Sequence, residues 1–415
     1  MSGPDTHTVT VSALGHRGDG VASSKGETVY VPFTLPGEQV SISGSGARRR
    51  LERLLEPSPD RVEPICTHFR ACGGCQLQHM NDTAYRAFKH DIVRNTLATA
   101  LPDVPVEPVL TVPVASRRRA AFSAKRLRSG KVLFGFTARR AHEIVPLDAC
   151  PILTPEIARD LAGLRQVAEI ACTRRQTLRV HVTATETGLD VLLEDAHEDE
   201  PTRRKLVNAA LALDWARLSY ADDVIVEIRK PVLTIDGVAL APPPGAFLQA
   251  SAQSEALMGD IVTKAVAAAS ARNAADLFCG AGSFALRLAR TTRVTALDTD
   301  RPALAALDAA CRATSGLKPV SVGYRDLFRN PVTARELAAF DAVVFDPPRA
   351  GAERQAREIA ASGVRTVIAV SCNPTTLARD LSLLAAGGYR IASVQPVDQF
   401  IFSPHIECIA LCERE

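Results

Sequence analysis

The sequence predicts an α/β architecture: a doubly wound parallel sheet over residues 244–415, preceded by a small β-barrel or sandwich over 1–58 and an α+β part over 59–243. Three observations carry this. Beyond the proline cluster Pro242, Pro243 and Pro244, short apolar runs alternate with alanine-rich helical stretches, the rhythm of a parallel sheet covered on both faces. From about His7 to Glu56, apolar and polar residues alternate (Val9, Val11; Val29, Val31) between Gly18, Gly20, Gly26 and Gly37, which reads as short strands joined by tight turns. The length of 415 residues also exceeds what one hydrophobic core organises.

In chain order, Pro57, Ser58 and Pro59 make a stiff linker. Hairpins are expected at Leu178 to Asp195, turning at Thr187 and Gly188, and at Val224 to Leu240, turning at Asp236 and Gly237. Strands of the parallel sheet are expected at Ala274 to Phe278, Val294 to Asp298, Val320 to Val322, Ala342 to Asp346 and Val367 to Ser371. Ile391 to Val397 and Ile406 to Leu411 read as a closing antiparallel pair.

With 46% hydrophobic and 23% charged residues, disordered and fibrous classes are excluded. No uncharged apolar run approaches a membrane span, and the polar start from Met1 to Thr10, with Asp5, predicts no secretory leader. A cytoplasmic protein is expected, in which ten cysteines point to metal binding or catalysis rather than disulfides. The net charge of +3 is unevenly spread: residues 1–150 carry 20 Lys and Arg against 14 Asp and Glu. Nine of these cations (Arg117, Arg118, Arg119, Lys125, Arg126, Arg128, Lys131, Arg139, Arg140) form an acid-free block interleaved with Phe122, Phe134 and Phe136. Such a block suits a phosphate backbone with aromatic faces for bases, or an ordinary solvated face.

An open parallel sheet delivers every strand's C-terminal end to one edge, where ligands bind. Chemically equipped residues sit at those ends: the loop Cys279, Gly280, Ala281, Gly282, Ser283; Asp298; Asp326; Asp346 with Pro347, Pro348 and Arg349; and Ser371, Cys372, Asn373, Pro374. An antiparallel last strand would return His405 and Glu407 to the same edge. The glycine loop alone fits Gly-x-Gly-x-x-Ala with an acid 18 positions after Gly280, so a dinucleotide site is one reading. Asp276 would repel a pyrophosphate and attract the ammonium and sulfonium of S-adenosyl-L-methionine, which favours the cationic cofactor. Asp298 suits a ribose diol in either case.

Cys372 ends an apolar strand and precedes a helix starting near Thr375, whose positive end would lower a thiol pKa. A lone cysteine there is more often a small core residue. Beside a methyl donor it has a specific use: carbon-5 of uracil becomes nucleophilic only after a soft thiolate adds at carbon-6, and a positioned base must then remove the carbon-5 proton.

With these residues in place the chain resembles the RNA (uracil-5-)-methyltransferases, most closely the bacterial 23S rRNA branch with an N-terminal TRAM domain and a 4Fe-4S cluster. The similarity is densest at Cys66 to Gln78, Asp276 to Phe284, Asp346 to Gly351, Ser371 to Pro374 and His405 to Glu407. The resemblance implies a class I, Rossmann-like methyltransferase domain at 244–415, a TRAM-like RNA-holding barrel at 1–58 and a cluster-bearing middle domain. It implies Cys372 as nucleophile, Glu407 as base and Asp346 beside the uracil, with Gln249, Phe278, Ser283, Asp298, Asp326 and Asp346 as cofactor contacts. Ser283 stands where the family usually has Asn, and Ile401 to Pro404 departs from the usual Pro-x-Thr-x.

Cys66, Cys72 and Cys75, with Gly73 and Gly74 to turn the backbone, resemble the family's cluster motif, completed by Cys150. A zinc site is the alternative, though paired two-residue spacings would suit it better than the gap between Cys66 and Cys72. The pattern is not that used for radical chemistry, so a structural or RNA-positioning role is expected. Cys172, Cys279, Cys311, Cys408 and Cys412 are expected in cores. Arg48, Arg49 and Arg50 read as a phosphate contact or a solvated loop. The expected substrate is a flipped or single-stranded uridine of 23S rRNA. The same chemistry on tRNA, an adenine or cytosine amino-methyltransferase, a non-catalytic RNA-binding protein and an NAD-dependent dehydrogenase are the alternatives.

Overall fold

The computed structural model describes residues 6–196, 199–221 and 223–414; Asp5 and part of the polar start read at Met1 to Thr10 lie outside them. Strands β1 (His7–Leu14), β2 (Gly20–Ser24), β3 (Glu27–Val31), β4 (Gln39–Ser43) and β5 (Arg50–Glu56) form an antiparallel sheet in the order β3-β2-β1-β4-β5. Their alternation sends Val9, Val11, Ala22, Val29, Val31, Val40 and Ile42 into one small core. The sheet's two edges meet where Tyr30 N donates to Ala47 O (2.7 Å) and Arg49 N to Tyr30 O (3.0 Å). Of the three arginines at 48–50, Arg48 is spent on the buried Asp19, which also takes Arg139 Nη1 at 2.6 Å. Only Arg50 is fully exposed.

After α1 (Asp82–Ala98) and β6 (Leu110–Thr111) come β7 (Arg119–Arg126), β8 (Val132–Thr137), β9 (Ile144–Pro146), α2 (Pro155–Arg159), α3 (Leu161–Ala171), β10 (Leu178–Thr185), β11 (Gly188–Glu194), α4 (Glu200–Ala212), β12 (Arg217–Tyr220) and β13 (Asp223–Glu227). These strands make a seven-stranded sheet ordered β13-β12-β11-β10-β7-β8-β9. The hairpin expected at Leu178 to Asp195 is β10–β11, with Thr185 opposite Gly188. The second expected hairpin is shorter than read: β13 joins the large sheet, while β14 (Leu233–Ile235) and β15 (Val238–Leu240) pair across Asp236 and Gly237. Both turn residues have positive φ, 48° and 75°, the geometry that an Asp-Gly hairpin turn requires.

The aromatic interleaving of the basic block does not serve bases as expected. Phe122 and Phe134 are fully buried, their rings 4.9 Å apart, because alternate positions of β7 and β8 face α2 and α3. The cations divide accordingly. Lys125, Arg128, Lys131 and Arg140 are exposed, whereas Arg118 turns inward to Glu255 (3.1 Å) and to Gln249 O (3.1 Å).

The last part comprises α5 (Ala252–Ala268), β16 (Asn273–Leu277), α6 (Ala285–Leu288), β17 (Arg293–Asp298), α7 (Arg301–Ala313), β18 (Val320–Tyr324), α8 (Ala334–Leu337), β19 (Ala342–Phe345), α9 (Glu353–Ala361), β20 (Thr366–Ser371), α10 (Pro374–Ala386), β21 (Arg390–Asp398) and β22 (Glu407–Glu413). All five expected parallel strands form, and the tail pair is antiparallel. The sheet order is β18-β17-β16-β19-β20-β22-β21-β6. One strand escaped the sequence reading: β6, only two residues long, adds to β21 in parallel. Helix α1 packs beside it, Val93 and Leu97 sharing the core of Val343, Val367 and Ile391.

That docking carries a buried charge. Lys89 of α1 is wholly buried and places Nζ 2.8 Å from Asp398 Oδ1 at the end of β21; it also donates to His405 O, and Tyr85 OH to Asp398 Oδ2. No helix among the described residues is long and apolar enough to cross a membrane. Because an unpaired buried charge is far costlier than none, Lys89→Met should destabilise the protein by about 3–5 kcal/mol, with most of the loss recovered in Lys89→Met/Asp398→Leu. Urea denaturation checks this; equal loss in the single and double variants would show that the pair is not the cause.

Candidate active site

Strand β16 ends at Leu277, and Phe278 leaves the sheet with φ 64°, its ring 5.4 Å from that of Phe328. Asp298 closes β17. Its Oδ2 accepts the Gly280 N–H (2.8 Å), and its Oδ1 those of Thr299 (2.6 Å) and Asp300 (2.9 Å), so the carboxylate is held across the glycine loop. Asp326, beyond β18, accepts the N–H groups of Phe328 and Arg329 at 3.1 Å each. Ser283 is engaged differently: its hydroxyl donates to Glu255 Oε1 at 2.6 Å, tying the glycine loop to α5 and through Glu255 to Arg118.

Asp276 does not present a charge to this edge. It lies within the central strand β16, wholly buried, and burial together with the nearby Asp346 and Asp298 pushes its carboxyl well above the ordinary range. Any attraction for a cation falls first to Asp298 and Asp326 instead.

Cys372 and Glu407 arrive from antiparallel neighbours. Ser371 of β20 pairs with Cys408 of β22, so the register sets Cys372, the next residue, across from Glu407. Asp346 follows β19 on the adjoining strand. Burial, reinforced by Asp346, raises the Glu407 carboxyl, and burial raises that of Asp346. Cys372 does not gain the expected acidity. Its thiol is pushed up to about 11, first by burial and then by Glu407; Arg349 opposes this, and Asp346 adds a smaller upward push. The helix α10 does begin beside it, capped by Asn373, whose Oδ1 accepts Thr375 N at 3.2 Å.

Two residues here escaped sequence reasoning. Gln399, in the loop after β21, donates from Nε2 to Glu407 Oε1 and to Gln249 Oε1, 2.8 Å each, while Gln249 Nε2 lies 3.5 Å from Asp346 Oδ2. Phe247 is 67% exposed, with the Arg119 guanidinium 4.9 Å from its ring centroid. Both lie in loops without periodicity, where no sequence signal marks them. Arg349, read at the end of its strand, reaches His405 Nδ1 at 3.1 Å.

Cys66, Cys72, Cys75 and Cys150 line one cavity with His68, Phe69 and Gln78. Among the described residues no three His, Cys, Asp or Glu side chains converge where a metal ion would sit. Burial, and then the neighbouring thiols, push Cys75 up to about 12; burial is also the main cause raising Cys150 to about 11. Gly73 serves a close approach rather than a turn, since a Cβ there would lie 2.7 Å from Thr137 O. This loop also grips the segment that precedes Glu407: Gln76 N and Leu77 N both donate to Phe402 O, at 2.7 and 3.0 Å. Cys172, Cys279, Cys408 and Cys412 are buried as expected; Cys311 is only partly so.

A family model described as tRNA (Uracil-5-)-methyltransferase matches residues 241–415. An RNA methyltransferase of Rhizobium meliloti is 47% identical over 99% of this chain and 100% of its own length. A 23S rRNA (uracil(1939)-C(5))-methyltransferase of Pectobacterium atrosepticum is 33% identical over 97% of this chain and 93% of its own. Among solved structures, the Pyrococcus abyssi tRNA (uracil-54, C5)-methyltransferase in complex with S-adenosyl-L-homocysteine superposes with TM-score 0.75 over 98% of this chain and 99% of its own, at 22% identity. That last likeness is one of fold.

The raised carboxyls give the free protein a pH signature. Asp346 and Glu407 bind protons more tightly folded than unfolded. Below about pH 4 both states are protonated and the groups contribute nothing; as pH rises towards neutrality the unfolded chain ionises first and stability falls, levelling once the folded groups ionise. Asp346→Asn should therefore raise the melting temperature by about 2–4 °C more at pH 8 than at pH 5, the size of a 1 kcal/mol effect. A gain independent of pH would contradict the assignment of strain to this pair.

Proposed function

Because the chain belongs to the RNA (uracil-5-)-methyltransferase family, we propose that it methylates carbon-5 of a uridine in 23S rRNA through a covalent adduct with Cys372. Its fold is that of an α/β methyltransferase. The observation that carries the reading is the β20–β22 register, which sets Cys372 across from Glu407 beside Asp346. S-adenosyl-L-methionine supplies an electrophilic methyl group. Gln249, Phe278, Asp298 and Asp326 stand along the sheet edge where it would bind, with the Asp298 carboxylate suited to a ribose diol; Ser283 supports that edge through Glu255.

The Cys372 thiol, raised in the free protein, gives its proton to solvent, a change that Arg349 favours, and Sγ adds to carbon-6. Carbon-5 then takes the methyl group from the sulfonium, which leaves as S-adenosyl-L-homocysteine. Glu407 removes the carbon-5 proton, and the carbon–sulfur bond breaks to release 5-methyluridine and the cysteine. Raised carboxyls at Asp346 and Glu407 suit groups that exchange protons near neutral pH. The named Pectobacterium relative supports ribosomal RNA as substrate, and the exposed Lys125, Arg128, Lys131 and Arg140 offer contacts to its phosphates. A TRAM-like RNA-holding role for 1–58, a cluster-bearing role for 59–243 and methyl transfer by 244–415 complete the reading, in the cytoplasm where that RNA is made.

Cys66, Cys72, Cys75 and Cys150 would hold a 4Fe-4S cluster. Four cysteines lining one cavity, three of them in a glycine-bearing loop, support that reading. Thiols crowded and buried in this way also need a cationic centre before they release their protons.

Cys372→Ala should abolish methyl transfer to unmodified 23S rRNA transcripts while leaving RNA binding intact, and Glu407→Gln should accumulate a methylated protein–RNA adduct visible on denaturing gels. Turnover in the first variant removes the nucleophile assignment, and absence of the adduct in the second removes the base. The same assay on tRNA transcripts separates the two RNA classes. Protein purified without oxygen should be brown, with about four irons per chain; colourless protein with stoichiometric zinc would contradict the cluster.

A further inference from the structure

The carboxamide of Gln399 is buried and engaged at both ends. Its Oε1 accepts from Ala250 N (2.8 Å) and Ser254 Oγ (3.2 Å); its Nε2 donates to Glu407 Oε1 and Gln249 Oε1 at 2.8 Å each. A backbone N–H can only donate, so the amide oxygen must face Ala250. Turning it over would set donor against donor in a buried site. The N–H₂ end is thereby forced towards Glu407, and Gln249 towards Asp346.

We propose that Gln399 is a positioning residue for the reaction: anchored on Ala250 and Ser254 at the start of α5, it fixes the orientation of the base Glu407 and links that base to Gln249 and Asp346. The proposal rests on the reading of Glu407 as the base. Holding Oε1 leaves Oε2 as the oxygen that takes the carbon-5 proton. Donation to the carboxylate also favours its ionised form among neighbours that oppose it. Facing Glu407 are Asp346 and Arg349 from the loop after β19, Cys372 at the end of β20 and Cys408 next on β22, with Lys89 of α1 behind Cys408. Asp346 and burial disfavour the charge; Arg349 and Gln399 favour it.

Two substitutions test this. Gln399→Met removes both donors; Gln399→Glu keeps an acceptor towards Ala250 and Ser254 while removing the donor towards Glu407. With unmodified 23S rRNA transcripts and S-adenosyl-L-methionine, both should still form the protein–RNA adduct. Release of methylated RNA should be slowed about tenfold at pH 7, with its pH midpoint displaced upward by about one unit. Loss of fold would lower adduct formation and release together without moving the midpoint. A wild-type midpoint with normal release in whichever variant binds S-adenosylhomocysteine overturns the proposal. Glu407→Gln on the same RNA is the control: if it accumulates no adduct, the base assignment itself fails, a result distinct from normal release by the Gln399 variants.

Discussion

The insertion of β22 between β20 and β21 is the interaction on which the candidate site depends. Parallel strands bring only their C-terminal ends to the ligand edge, and a single strand running the other way brings its N-terminal end there. Glu407 is the first residue of that strand. The register is held because Cys408, Ile409, Ala410 and Cys412 are all buried between two sheet neighbours and two helical layers. Slipping it by one residue would turn every one of these side chains to the opposite face and move the carboxyl away from the thiol.

The same arrangement concentrates acids where water is scarce. Asp276 and Glu407 are buried and Asp346 is partly so, and desolvation pushes each carboxyl upward. The protein offsets the two that face the edge with polar groups of fixed direction, the amides of Gln249 and Gln399 and the guanidinium of Arg349, rather than with solvent. Asp276 is left to the neutral form that its burial favours. Functional sites commonly carry such strain while the surrounding core supplies the stability.

Much of this was legible in the sequence because strand ends of a parallel sheet are fixed by pattern alone. The five apolar runs, the Gly280 loop, Asp298, Asp326, Asp346 and Cys372 all fall where the βα rhythm puts them. What could not be read depends on contacts between distant segments. The thiol of Cys372 is raised first by burial and then by Glu407 standing close to it, whereas the helix end is a local feature and was visible. Phe122 and Phe134 look available beside cations until α2 and α3 cover them. Gln399 has no periodic signal, and its role arises only when α5 presents Ala250 and Ser254 to it. Strand β6 is too short to register as a pattern and exists only through β21.

The carbonyl of Phe402, held by the two N–H groups that follow Cys75, joins the front of the chain to its tail. Contacts between such remote segments form late, since long loops must close before they are rewarded. A nascent chain can complete β16 to β20, with the cofactor edge and the cysteine, before residues 399–413 have been made. Glu407 is therefore the last of the candidate residues to be installed. Until the tail finds the cysteine-rich loop, the growing protein carries the sheet edge and Cys372 without the carboxyl that is proposed to complete a turnover.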